Sequence, residues 1–245
     1  MADHLVLLLR LAGPLQSWGS SSRFTRRGTD PQPTKSGIVG LLAAADGRRR
    51  EDPIEDLSGL RLGVRVDRPG ILIGDFQTAR RPSGVSGASD VSMPLSTRYY
   101  LSDAVFLAAV EGPETLIRGL DEATRRPRFA LALGRRSCPP AGQFALGVTT
   151  ETLEEALASH RWLGRPMRTR RSWQPPERLL VVRDLAIGED PSGAEREHDV
   201  PLSFASRQRK FGWRWVRREW ITNPALPASP PDPPSTRHDA FAEVG

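Results

Sequence analysis

One stretch near the start of the chain combines residues that bind phosphate with residues that stack on bases. Gly13-Pro14-Leu15-Gln16-Ser17-Trp18-Gly19 is followed by Arg23, Phe24, Arg26 and Arg27, and then by Pro33-Thr34-Lys35-Ser36-Gly37. A glycine-rich loop that runs into a helix N-terminus offers backbone N–H groups and a positive dipole end to an anion. Arginines interleaved with Trp18 and Phe24 add charge and a stacking surface, the pairing used by proteins that hold single-stranded RNA. The plainer alternative makes the two aromatics core residues and the arginines solvated charges. Lys35-Ser36 stands where a P-loop would have its Lys-Ser pair, but no glycine directly precedes Lys35. The G-x-x-x-x-G-K-[ST] spacing is missing, and nucleotide hydrolysis is not supported.

These residues need elements to hold them. His4 to Leu11 is an apolar run with one charge, short enough for a buried strand, and Gly13-Pro14 breaks it. Residues 34–45 read as an apolar helix with Thr34 or Ser36 as N-cap. Leu60 to Asp67 alternates as a half-buried strand does, and Ile71 to Gln77 gives another strand. Thr78 to Thr97 is rich in Gly, Ser and Arg and has no periodicity. Tyr99 to Val110 reads as one strand, Pro113 to Arg125 as a helix, and Phe129 to Leu133 as a short buried strand ending at Gly134. The order strand, helix, strand, strand, helix, strand predicts an α+β fold with a ferredoxin-like (RRM-like) palm. Leu179 to Asp184 and Val216 to Ile221 are further strands, and Asp190 to Asp199 is a charged loop. From Asn223 onward the chain is rich in proline and reads as an extended tail.

Composition narrows the classes. The 245 residues carry 35 Lys+Arg against 29 Asp+Glu, and only Lys35 and Lys210 are lysines, leaving 35 − 2 = 33 arginines. Arginine's planar fork binds phosphate bidentately and stacks on bases, although a GC-rich coding bias would give the same ratio. No run approaches the roughly 18 apolar residues of a membrane helix. The first residues lack a signal-peptide pattern, and the single Cys138 cannot form an internal disulfide or a thiolate cluster. A cytoplasmic protein is expected.

GPLQSWG, then Arg23-Phe24, then PTKSGIVGLLAAA resembles the N-terminal signature of the fifth Cas protein family in its type I-E branch, the CasD family of the RAMP superfamily. Asp75-Phe76-Gln77-Thr78-Ala79-Arg80 resembles that family's entry into its thumb insertion, and Arg98-Tyr99-Tyr100-Leu101-Ser102-Asp103-Ala104 the return from it. Leu133-Gly134-Arg135-Arg136-Ser137-Cys138-Pro139-Pro140 resembles the loop after its last core strand. The four blocks occur in family order across residues 13–140. The resemblance implies a ferredoxin-like palm over residues 1–140 with an inserted β-hairpin thumb at about 78–97. A smaller β-rich extension would follow over 141–222, and a proline-rich tail over 223–245. It also implies a non-catalytic subunit of the CRISPR Cascade complex that caps the 5′ handle of crRNA for antiviral defence. Its partners would be that RNA, the backbone subunit and the large subunit, with target DNA met only through the complex and no membrane or cofactor.

By the same resemblance, Gln16, Ser17 and Trp18 line the loop after the first strand. Arg23 and Arg26 neutralise phosphates, and Lys35 and Ser36 sit at the helix start. Gln77, Thr78 and Arg80 form the thumb base, with Arg98 on its return, while Arg135, Arg136 and Ser137 make a basic loop that closes on RNA. Gly37 and Gly40 are read as permitting close helix packing, and Cys138 as a packing residue. The competing reading is an endoribonuclease that processes CRISPR repeat RNA without metal. Such cleavage needs a base for the 2′-hydroxyl and an acid for the leaving group. None of His4, His160, His198 and His238 lies in a matched block, so Tyr99, Tyr100 and Lys35 are the residues left to serve. No His, Asp and Glu cluster has metal-ligand spacing. A third reading is a scaffold that contacts protein alone.

Overall fold

The computed structural model describes residues 4–19, 25–81, 91–164 and 175–226. In chain order its elements are β1 (His4–Ala12), β2 (Leu15–Gln16), β3 (Arg26–Arg27), α1 (Lys35–Asp46), α2 (Glu55–Ser58), β4 (Arg61–Arg68), β5 (Ile71–Gln77), β6 (Arg80–Arg81), β7 (Val91–Ser92), β8 (Ser96–Ser102) and β9 (Val105–Pro113). They continue with α3 (Glu114–Arg125), β10 (Ala145–Thr149), α4 (Leu153–Ser159), β11 (Arg178–Asp184), β12 (Glu195–Ser203) and β13 (Lys210–Thr222). Strands dominate this mixed α/β chain.

A seven-stranded sheet runs β10-β1-β9-β4-β11-β13-β12, with every neighbouring pair antiparallel. Its first four strands come from the chain order β1-α1-β4-β9-α3-β10, so they stand as fourth, first, third and second. β1 has no polar alternation because both its faces are covered. Leu5, Leu7, Leu9 and Leu11 join the core that also holds α1 and α3 residues, and Val6, Leu8 and Ala12 join the core under α4. Burying each leucine removes enough apolar surface to stabilise the fold by roughly 1.5–3 kcal/mol.

α1 begins where the sequence signals it. The Thr34 side chain accepts from the Gly37 N–H at 3.2 Å, and Gly47 closes the helix at φ 85°. Thr34, of the two candidates, is the N-cap.

Three elements differ from the sequence reading. Residues 99–110 are two strands. β8 ends at Ser102, Asp103 turns at φ 56°, and β9 starts at Val105. Ser102-Asp103 marks the corner as a polar pair between two apolar stretches, a turn signal that the reading of one strand passes over. Residues 129–133 form no strand, because their backbone docks on the end of α1, with Arg128 and Phe129 N–H groups donating to Ala45 and Ala44 carbonyls. The strand beside β1 is β10, twelve residues further on. The charged stretch 190–199 runs into a strand, β12, because Glu195 and Glu197 are paired across the ladder by Arg214 and Arg218 of β13.

A second sheet is centred on β8. β5 pairs along one edge, while β2 and then a parallel β3 pair along the other. Beyond it, β6 and β7 form a two-stranded ribbon. Residues 82–90 of the thumb insertion expected at about 78–97 lie outside the described residues, as does the tail from 227.

Candidate nucleic-acid interface

Two of the sequence blocks meet face to face. The Ser17 N–H donates to the Leu133 carbonyl at 3.0 Å. Gly134, at φ 86°, comes so near that a Cβ there would lie 1.8 Å from the Ser17 carbonyl oxygen. Only glycine satisfies both conditions. Gln16 is fully buried. Its amide nitrogen donates to the Leu11 and Ala104 carbonyls at 3.2 and 2.8 Å, and its Oε1 accepts from the Trp18 indole at 3.1 Å. Trp18 in turn is buried against Gly37 of α1, where a Cβ would stand 2.7 Å from the ring. Ser17 Oγ donates to the Tyr99 carbonyl at 3.1 Å and is buried as well.

Arg135 staples this assembly together. Its guanidinium donates to the carbonyls of Tyr99 at 3.1 Å, Arg27 at 2.9 Å and Gly28 at 3.2 Å, and lies 4.8 Å over the Tyr100 ring. Arg26 covers the neighbouring Tyr99 ring at 5.3 Å. The result is a cleft of about 390 Å³ whose wall includes Ser17, Arg27, Ser36, Arg135, Phe204 and Arg209. It shares Ser36, Gly37, Gly134, Phe204 and Arg209 with a second hollow of about 520 Å³ along the outer face of α1. Gly37, Gly40 and Ala44 give that hollow a floor without bulk, and Arg49, Arg50 and Arg136 stand at its rim. Among the described residues the guanidinium groups of Arg49, Arg50, Arg136 and Arg209 have no hydrogen bond, ion pair or ring contact and are free for an anion; Arg49 meets Asp52 through its backbone alone.

The start of α1 is a different environment. The Lys35 N–H donates to Asp199 at 2.7 Å and its Nζ to Asp184 at 2.8 Å. Arg214 bridges the same two carboxylates, at 2.5 Å to Asp184 and 2.6 Å to Asp199, and reaches Glu197 at 2.8 Å. Lys35, Asp184 and Asp199 are buried. Burial pushes the Glu197 carboxyl above its ordinary range, against the pull of Arg214. A carboxylate already occupies the helix terminus that the sequence offers to phosphate.

The family model described as CRISPR-associated protein (Cas_Cas5) matches residues 6–217. The chain belongs to that family. The CRISPR system Cascade subunit CasD of Escherichia coli (strain K12) is 30% identical over 220 residues, which cover 82% of this chain and 93% of CasD. A solved structure described as a Cas protein is 39% identical with a TM-score of 0.70, over 92% of this chain and 100% of the other. A chain of a CRISPR RNA-guided surveillance complex is 33% identical with a TM-score of 0.71, over 90% of this chain and 91% of its own length.

Within this Cas5-family chain the sequence-read residues divide by exposure. Gln16, Ser17, Trp18 and Lys35 were expected to face a ligand, but they are buried with their polar groups engaged internally. Ser17 and Trp18 still form part of the cleft wall, whereas Lys35 lines a separate hollow with Asp184 and Arg214. Ser36 and Arg135 line the cleft, and Arg26, Arg136 and Ser137 are exposed nearby on the same loops. Gln77 donates to Asp75, while Thr78 and Arg80 are exposed at the ribbon. Arg98 stands in register with Asp75 of β5 and Arg27 of β3, joining the ribbon's base to the cleft wall. Its Nε is buried without a partner among the described residues. Arg23 lies outside them. Cys138 is fully buried, and burial raises its thiol pKa, as suits a packing residue. Sequence reading missed Phe204, Arg209 and Phe211. The segment Phe204-Ala205-Ser206-Arg207-Gln208-Arg209-Lys210-Phe211 has the same arginine-aromatic interleaving as the N-terminal stretch and carried the signal. Among the described residues no group of three His, Cys, Asp or Glu is placed to hold a metal ion.

Proposed function

We propose that this chain is the non-catalytic subunit that caps the 5′ handle of crRNA in a type I-E Cascade complex, with the cleft and the α1 hollow as the seat of the RNA. The observation that carries this reading is the set of unpaired arginines, Arg49, Arg50, Arg136 and Arg209, around a glycine-floored groove. Free guanidinium groups beside small residues suit a phosphate backbone that must approach closely. The fourth-first-third-second strand order supports a ferredoxin-like, RAMP-type palm. The ribbon of β6 and β7 is the base of the thumb, with Thr78 and Arg80 exposed on it and Arg98 on its return. The backbone and large subunits are the protein partners, and target DNA is met only through the complex.

Cleavage is the weaker reading on chemical grounds. Lys35 is locked in an ion pair, Tyr100 is buried, and the Tyr99 ring lies beneath Arg26, so the residues left for acid and base have other work.

The test is incubation of the purified chain with CRISPR repeat RNA, alongside the R50A/R136A variant, which removes two unpaired arginines at the rim and leaves the Arg135 staple intact. The wild type should bind and leave the RNA intact. The variant should bind more weakly, its salt dependence shallower by about 1.4 in the log–log slope if two phosphate contacts are lost. Cut RNA would establish the endoribonuclease, and identical binding by the variant would sink the grip.

A further inference from the structure

β12 is the free edge of the seven-stranded sheet, and the two faces of its ladder with β13 are built from opposite materials. On one face each carboxylate is answered: Glu195 by Arg218, Glu197 by Arg214 and Arg218, and Asp199 by Arg214. On the other face Trp213 and Trp215 are 58% and 48% exposed, in a chain that buries Trp18 almost completely. Arg196 lies over both indoles, 4.8 Å from the first ring centre and 5.7 Å from the second. The His198 ring stands 4.6 Å from Trp213, tilted by 32°. Arg196 has no carboxylate partner among the described residues, and neither have Arg207, Arg209 and Lys210 at the entry to β13.

The row is continuous with the cleft. Phe211 lines the cleft and meets His198 edge-on at 6.4 Å, and Trp213 and Trp215 follow it at alternate positions of one strand. Alternate residues of a strand are about 6.6–6.8 Å apart. That is about twice the 3.4 Å rise per nucleotide of a stacked strand, so successive indoles match successive bases of a stretched one.

We propose that the Arg196–Trp213–Trp215 face is a stacking platform for the single-stranded RNA that leaves the cleft. The direction of that strand rests on the handle-grip reading, whereas the platform's chemistry stands apart from it. Charge decides between RNA and protein as the occupant. Trp and Arg are enriched at protein interfaces too, so the centre of the patch suits either occupant. The border decides: Arg207, Arg209 and Lys210 have no carboxylate partner among the described residues and complement phosphates, while bases stack on the indole surface that Arg196 leaves exposed.

The experiment measures binding of the full chain to fluorescent single-stranded RNA of about 4 and about 12 nucleotides, lengths at the two ends of common site sizes. The W213A/W215A variant should bind the longer RNA at least roughly tenfold more weakly and the shorter one as the wild type does, at an unchanged melting temperature. W213F/W215F, which keeps aromatic faces, should recover most of the loss. Equal affinity of W213A/W215A and wild type for the longer RNA would overturn the platform. So would intact RNA binding combined with failure to assemble with the other Cascade subunits, which would make the face a protein dock. If R50A/R136A leaves both RNAs tightly bound while W213A/W215A loses the longer one, the grip at the cleft fails and the platform stands.

Discussion

Two arginine-rich regions lie on either side of the first turn of α1, and they do opposite things with their charge. At the helix start Lys35 and Arg214 are buried and matched to Asp184, Asp199 and Glu197. Along the outer face of the helix Arg49, Arg50, Arg136 and Arg209 have no acid and are open to solvent. What separates them is whether the fold brings a carboxylate within reach, and the carboxylates come from β11 and β12, well over a hundred residues from Lys35. The buried set ties the C-terminal strands to α1; the open set is available to an external anion.

The comparison breaks most sharply at Asp184. Asp184→Ala removes the shared acceptor of Lys35 and Arg214 and of the Leu62 N–H, leaving buried charge uncompensated. A loss of about 3–5 kcal/mol in denaturant unfolding is expected, with RNA affinity of the folded fraction unchanged. A loss under 1 kcal/mol would mean that the network contributes little to holding the strands together. Arg136→Ala should give the reverse pattern. Stability should stay within about 0.5 kcal/mol, as for an exposed side chain without partners. The log–log salt slope of RNA binding should fall by about 0.7, one phosphate contact. An unchanged slope would remove Arg136 from the RNA path.

The smallest effect concerns pH. Hydrogen bonding from Arg183 lowers the Glu189 carboxyl from its ordinary 4.5 to about 2. A depressed acid stabilises the fold above its unfolded value and loses that contribution as pH falls through its folded one. Part of the acid destabilisation should therefore fall between pH 4.5 and about 2, and Glu189→Gln should flatten that part of a melting-temperature profile. A profile of unchanged steepness would show that Arg183 does not hold this carboxylate.

Legibility in the sequence followed distance along the chain. α1 was readable, with its N-cap narrowed to Thr34 or Ser36, because a capping side chain before an apolar run is a local signal. β1, β4, β5 and β11 were readable from their apolar patterns, as was the closeness of Gly37 to a neighbour, though not that the neighbour is Trp18. Where partners are remote, the reading failed. Nothing near Lys35 announces Asp184, and nothing near Gln16 announces the Ala104 carbonyl that draws its amide inward. β12 was concealed because its charges satisfy each other across a ladder, which erases the alternation that marks a half-buried strand. The corner at Asp103 was missed although Ser102-Asp103 breaks the apolar run there, because one polar pair also fits the alternation of a single long strand.

That corner has a mechanical consequence. β8, the spine of the outer sheet, passes into β9, a central strand of the core, across Asp103 and Ala104 alone, and the Asp103 N–H is tethered to the Pro14 carbonyl at 3.1 Å. At this join the outer sheet has only two residues of play against the core sheet, and tension applied along β8 passes straight into the buried β9.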